Sequence, residues 1–191
     1  QDLTIPQHTI GQEIHGVITF IVVVWTVFFL DLFLPLEKLG IVPRTARGLS
    51  GLVTMPFLHS SLGHVLSNSV SLFILLMLLA GSRARSWQIM AAIILLGGAL
   101  LWLFGRSAVH VGASGLVFGL ISFLIASGIL ERRLLPLVVS IIVGFLYGTT
   151  LLWGVLPTVP GVSWDGHLSG AIAGVVVAYG LTRDGGSGQK R

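Results

Sequence analysis

Cysteine is missing from all 191 residues, which excludes disulfide bonds, thiolate metal ligands and a cysteine nucleophile. Charge is nearly as scarce. Asp, Glu, Lys and Arg together make up 9% of the chain, against about 25% in an average soluble domain, which argues against a soluble globular fold. The basic residues that give a formal charge of +4 are scattered through short connecting segments, so they form no patch for a nucleic acid and read instead as topology signals. No internal repeat is evident.

What the chain has in abundance is hydrophobic sequence, 54% of all residues. A membrane-spanning helix needs about 20 apolar residues, so this length has room for about five to seven spans. The first apolar run, Val17 to Pro35, is too long for a signal-peptide core and has neither a basic leader nor a small-residue cleavage site, so it is read as span one. Further spans are expected over Ser61 to Gly81, Trp87 to Phe104, Ser114 to Leu130, Leu134 to Trp153 and Gly166 to Leu181, separated by charged or Gly- and Pro-containing breaks. The expected architecture is therefore all-α and polytopic: an N-terminal segment (1–16), a six-helix transmembrane domain (17–182) and a flexible tail (183–191) in which Gly185 to Gly188 carry no function. Between spans one and two, Lys38, Arg44 and Arg47 alternate with Leu36, Leu39, Ile41, Leu49 and Leu52, a pattern suited to an amphipathic loop lying among lipid headgroups.

Arg83 and Arg85 follow span two, Arg132 and Arg133 follow span four, and Arg183, Lys190 and Arg191 follow span six. Basic residues accumulate on the cytoplasmic side, so these segments are expected inside, with both termini cytoplasmic and the protein in the plasma membrane.

Strongly polar groups within apolar spans are expensive and mark function by default. His64 and Asn68 sit at i, i+4 and share one face at the start of span two. Ser114 opens span four within Gly112, Ala113, Ser114 and Gly115; His167 opens span six within Gly166, His167, Gly170 and Gly174. The starts of spans two, four and six lie on the same membrane side, so the four groups can converge. Acyl transfer uses such a set: a serine hydroxyl attacks a carbonyl while an imidazole takes its proton, and amide, imidazole and helix N-terminal N–H donors hold the oxyanion. Short Ser and His side chains require close helix approach, which Gly115, Gly119, Gly170 and Gly174 permit.

These three motifs, His59 with His64 and Asn68, the Gly-x-Ser-Gly of Gly112 to Gly115, and the Gly-His-x-x-Gly-x-x-x-Gly of Gly166 to Gly174, each at the start of a span, resemble those of the rhomboid intramembrane serine proteases across nearly the whole chain. The resemblance implies a six-helix bundle in the lipid bilayer that cleaves transmembrane or juxtamembrane segments of other membrane proteins, without metal or cofactor. It implies a Ser114–His167 dyad with no acidic third member, and an oxyanion site of His64, Asn68 and the Ser114 N–H. It also implies a supporting role for His59, for Gly112, Gly115, Gly170 and Gly174, and for Phe118 packed against His167. Substrates are expected to approach laterally past span five, with the Gly154 to Asp165 loop covering the site, and to have small side chains at the cleaved bond. A Trp-Arg pair common in the first loop of relatives is missing; Pro43 and Arg44 stand in that neighbourhood.

Blander readings compete. A serine within a span often bonds a backbone carbonyl one turn back, His8, His15 and His110 read as interfacial, with a groove-shaping role the alternative for His110 because it lies just before the Gly-x-Ser-Gly motif, and Asp165 reads as a loop or helix-capping residue. A small transporter would use the same polar residues as a pathway, but predicts them through the full membrane depth. A non-catalytic rhomboid-like protein that binds membrane segments would lack the Ser or the His.

Overall fold

The computed structural model describes residues 10–82 and 86–187. His8, Arg83, Arg85, Gly188, Lys190 and Arg191 lie outside the described residues. Hydrophobic runs of this length leave the backbone one way to satisfy its polar groups in hydrocarbon, the helix. Among the described residues six long helices form: α1 (Ile10–Asp31), then, after a four-residue α2 (Gly51–Thr54), α3 (Leu62–Ser82), α4 (Ser86–Phe104), α5 (Ser114–Glu131), α6 (Leu134–Gly154) and α7 (Trp164–Ser187). Five of them, α1 and α3 to α6, are long and apolar enough to cross a membrane. The sixth, α7, starts with Trp164, Asp165 and Gly166 and relies on a glycine face.

Two helices differ from the sequence reading in where they begin or end. α1 begins at Ile10 and ends at Asp31, because the Asp31 carboxylate accepts the backbone N–H groups of Leu36 (2.7 Å) and Glu37 (3.2 Å) and turns the chain ahead of Pro35. α7 continues to Ser187, past the Leu181 boundary and into the stretch assigned to the tail; no proline interrupts its hydrogen-bond ladder there.

α5 is central, with every residue from Gly115 to Leu124 buried. Its tightest neighbour is α7. A Cβ at Gly170 would run into the Gly115 carbonyl, and one at Gly174 into the Gly119 carbonyl, so both positions require glycine for the backbones to meet. The Ser122 hydroxyl crosses the same seam to the Ala171 carbonyl at 2.7 Å. α6 leans on α5 at one end, where Ser140 donates to the Ile125 carbonyl at 3.1 Å, and exposes Ile141, Phe145, Leu152 and Trp153. α1 packs on α3, with the Trp25 indole donating to Ser69 at 3.0 Å.

The first loop is held without a Trp-Arg pair of its own. Arg44, in a left-handed conformation (φ 58°), donates to the carbonyls of Leu103 (3.2 Å) and Gly105 (2.8 Å) and to Ser107 (3.2 Å), at the C-terminal end of α4. Trp102 of α4 returns a bond to the Thr45 carbonyl at 2.9 Å, and Ile41 pairs with His110 through two backbone bonds of 3.0 and 2.8 Å. Leu39, Leu49 and Val53 of the loop remain exposed, as an element lying against lipid headgroups requires.

Candidate active site

The N-terminal ends of α3, α5 and α7 meet round one cavity of about 550 Å³, lined among others by His64, Asn68, Ser114, Phe118, His110 and His167. Each side chain gets there by a local device. Ser61 starts α3 by accepting the His64 N–H at 3.2 Å, the bond of a helix N-cap, and this sets His64 and Asn68 on the cavity face. Gly112 has φ +116°, a conformation L side chains rarely adopt, and a Cβ there would also strike the His64 ring. The chain then enters α5 at Ala113, whose carbonyl accepts the Val117 N–H at 3.0 Å. Ser114 is thus the first residue of α5, half-buried, with a backbone N–H that has no acceptor within the helix.

His167 is buried, and its Nδ1 lies 2.8 Å from the Gly154 carbonyl oxygen. A carbonyl only accepts, so Nδ1 carries the proton and Nε2 is left as the basic nitrogen. Its ring stacks on Phe118 with centroids 4.1 Å apart and planes 5° from parallel. Among the described residues no hydrogen bond joins Ser114 and His167.

Asn68 donates from Nδ2 to His59 Nε2 at 3.0 Å, which leaves its second amide hydrogen for the cavity. The same His59 nitrogen faces the Ala113 N–H at 3.4 Å, and the ring meets His64 edge-on at 5.0 Å. His59 is 1% exposed. Burial, and secondarily the neighbouring His64, push its imidazole down to about 4, with the Phe57 carbonyl acting the other way. It is a neutral acceptor.

Two residues differ from their sequence reading. His110 is 3% exposed and forms cavity wall, the alternative to its interfacial reading, because its ring bridges Ser163 Oγ (2.7 Å) and the Arg106 carbonyl (3.0 Å). Asp165 reaches its own helix only through a 3.3 Å contact with the Gly166 N–H; its main partner is Arg106. Gly154 and Arg106 were not anticipated at all, since a backbone carbonyl and a lone loop arginine leave no sequence pattern. Among the described residues no group of three or more His, Asp or Glu side chains converges as a metal site would require.

A family model described as Rhomboid domain matches residues 46–184. Proteins of Mycobacterium tuberculosis and Mycobacterium bovis, both named as uncharacterized, are 39% identical to the chain over 179 residues, covering 87% of it and 74% of their own length. An uncharacterized protein of Mycobacterium leprae is 36% identical, over 87% of the chain and 70% of that relative.

Proposed function

The chain belongs to the rhomboid family and is an integral, multi-pass membrane protein, and from that membership we propose that it is an intramembrane serine endopeptidase acting through Ser114 and His167. One observation carries the reading: the His167 imidazole is held by a carbonyl on Nδ1 and a phenyl ring on its face, beside a cavity shared with Ser114. In serine hydrolases an acid usually fixes the tautomer. Here the Gly154 carbonyl does that work, so no third ionised group is needed.

In the proposed mechanism Ser114 Oγ attacks the scissile carbonyl as His167 Nε2 takes its proton. The resulting oxyanion is met by the second amide hydrogen of Asn68, the His64 ring and the Ser114 N–H at the positive end of α5. Collapse breaks the C–N bond, the imidazolium gives its proton to the departing amine, and an ester to Ser114 remains. Water, deprotonated by His167, then releases the acid and restores the serine. Gly112 turns the chain into α5 and leaves room for the His64 ring, Gly115 faces the Gly166 carbonyl across the seam, Gly170 and Gly174 hold α7 against α5, and His59 orients Asn68.

The proposed substrates are transmembrane or juxtamembrane segments of other proteins, arriving past α6 beneath Pro160, Gly161 and Val162. The proposed setting is the plasma membrane, with both termini cytoplasmic. Below the cavity the core includes Leu72, Leu75, Leu79, Leu120 and Phe123, an apolar floor that supports the protease reading over a transporter. The test is incubation of detergent-purified protein with a fluorescent transmembrane peptide, products being identified by mass. Cleavage at a discrete bond that is lost in Ser114→Ala supports the proposal. Folded wild type inactive on a panel of such peptides favours the non-catalytic, segment-binding reading.

A further inference from the structure

In the cavity wall and just behind it, Arg106, His110, Ser163 and Asp165 form a polar network that the proposed chemistry does not use. The Arg106 backbone N–H (2.8 Å) and Nε (3.2 Å) both donate to Asp165 Oδ2. Arg106 Nη2 donates to Asp165 Oδ1 at 3.1 Å and to the Val162 carbonyl at 3.0 Å, and its guanidinium lies over the Trp164 ring, 5.4 Å from the centroid. The Ser163 hydroxyl lies 2.7 Å from His110 Nδ1 and 3.3 Å from Asp165 Oδ1.

Ser163 is the link to the dyad, because its carbonyl accepts the His167 N–H at 3.0 Å, the first helical bond of α7 on that residue. The residue that holds the His167 backbone from one side is therefore itself held by His110 and Asp165. The Asp165 side chain is 9% exposed and that of Arg106 50%, so the carboxylate is sheltered while the guanidinium reaches the surface, and a forked guanidinium on a carboxylate fixes direction as well as distance. In catalysis a misplacement of about 1 Å can lower a rate about 100-fold.

We propose that Asp165 is a positioning residue: with Arg106 and His110 it fixes Ser163, and through the Ser163 carbonyl it sets the place of the His167 imidazole against Ser114. The inference rests on the protease reading for its effect on turnover, but its structural half is testable without any activity. The experiment uses the full chain in detergent, comparing wild type, Asp165→Asn, Arg106→Gln and the double variant. The readouts are kcat and KM on a transmembrane peptide, Tm, and the nitrogen-bound proton signal of the His167 ring, assigned by its loss in His167→Gln.

The expected result is a fall in kcat of about 100-fold in each single variant with KM within about 3-fold, and a double variant no worse than either single one, since all three break the same chain of contacts. The His167 ring signal, single and slowly exchanging in wild type, is expected to broaden or split in Asp165→Asn. A folded Asp165→Asn whose ring signal is unchanged overturns the proposal, whatever its turnover. So does a variant that lowers Tm yet turns over like wild type per folded molecule. If wild type proves inactive while the ring signal still responds to Asp165→Asn, the protease reading falls and the positioning of His167 stands.

Discussion

Phe118 lies flat against His167, ring centroids 4.1 Å apart, and the far edge of the phenyl ring abuts Gly154. A Cβ on Gly154 would strike Phe118 Cζ, while the Gly154 carbonyl is the acceptor for His167 Nδ1. One small residue therefore bounds the imidazole's seat twice, at its Nδ1 edge and behind the phenyl ring that covers one face. Gly154→Ala is expected to push the ring aside and lower kcat by about 10-fold or more, with a stability loss of about 1–3 kcal/mol from overpacking. Kinetics and Tm on the purified variant check this; kcat unchanged in Gly154→Ala would show that the stack does not matter.

Asn68 has one amide hydrogen on His59 and one left over. If that second hydrogen meets the oxyanion, Asn68→Ala lowers kcat by about 100- to 1,000-fold and leaves KM within a few-fold, because the bond forms only in the transition state. Steady-state kinetics on a transmembrane peptide separate the two. A rise in KM at constant kcat would place Asn68 in ground-state binding instead.

The α5–α7 seam closes on glycine. Gly170→Ala places a methyl against the Gly115 carbonyl and Gly174→Ala against that of Gly119. Each is expected to lower stability by about 1–3 kcal/mol, read as a drop in Tm in detergent. Gly63, whose Cβ position is open, provides the contrast: Gly63→Ala leaves Tm unchanged or slightly raised.

His59 makes stability depend on pH in a defined direction. Its folded-state pKa of about 4 lies below the ordinary 6.5, so the unfolded chain binds a proton in that interval while the folded chain does not. Stability is fully present above pH 6.5 and falls as pH drops from there towards 4. His59→Gln, which keeps an acceptor for Asn68, is expected to flatten the fall in Tm between pH 7.5 and 4.5. Parallel Tm curves for the two proteins would remove His59 as the source.

Hydropathy located most of the fold because charged or Gly-rich breaks separate α3, α4, α5 and α6, whose ends fall within a residue or two of the span limits read from sequence. It misplaced α1, where Ile10 to Gly16 carry polar residues that do not stop a helix, and the end of α7. The i, i+4 spacing of His64 and Asn68 and the small-residue spacing of Gly170 and Gly174 are helix-face properties, so local sequence displays them. The Gly154 carbonyl, the Arg106–Asp165 pair and the burial of His110 depend on how the segments at 106–110 and 155–163 fold over one another. Contacts between loops have no period to read.

Fluorophosphonate labelling tests the Ser114–His167 pairing most directly, because it needs no knowledge of the physiological substrate. Purified wild-type protein, Ser114→Ala and His167→Ala are exposed to the reagent, and the adduct is located by peptide mass spectrometry. The dyad predicts a single phosphonyl adduct on Ser114, absent from both variants, with the Tm of all three proteins nearly the same. An adduct on any other residue, or undiminished labelling of Ser114 in folded His167→Ala, would contradict it.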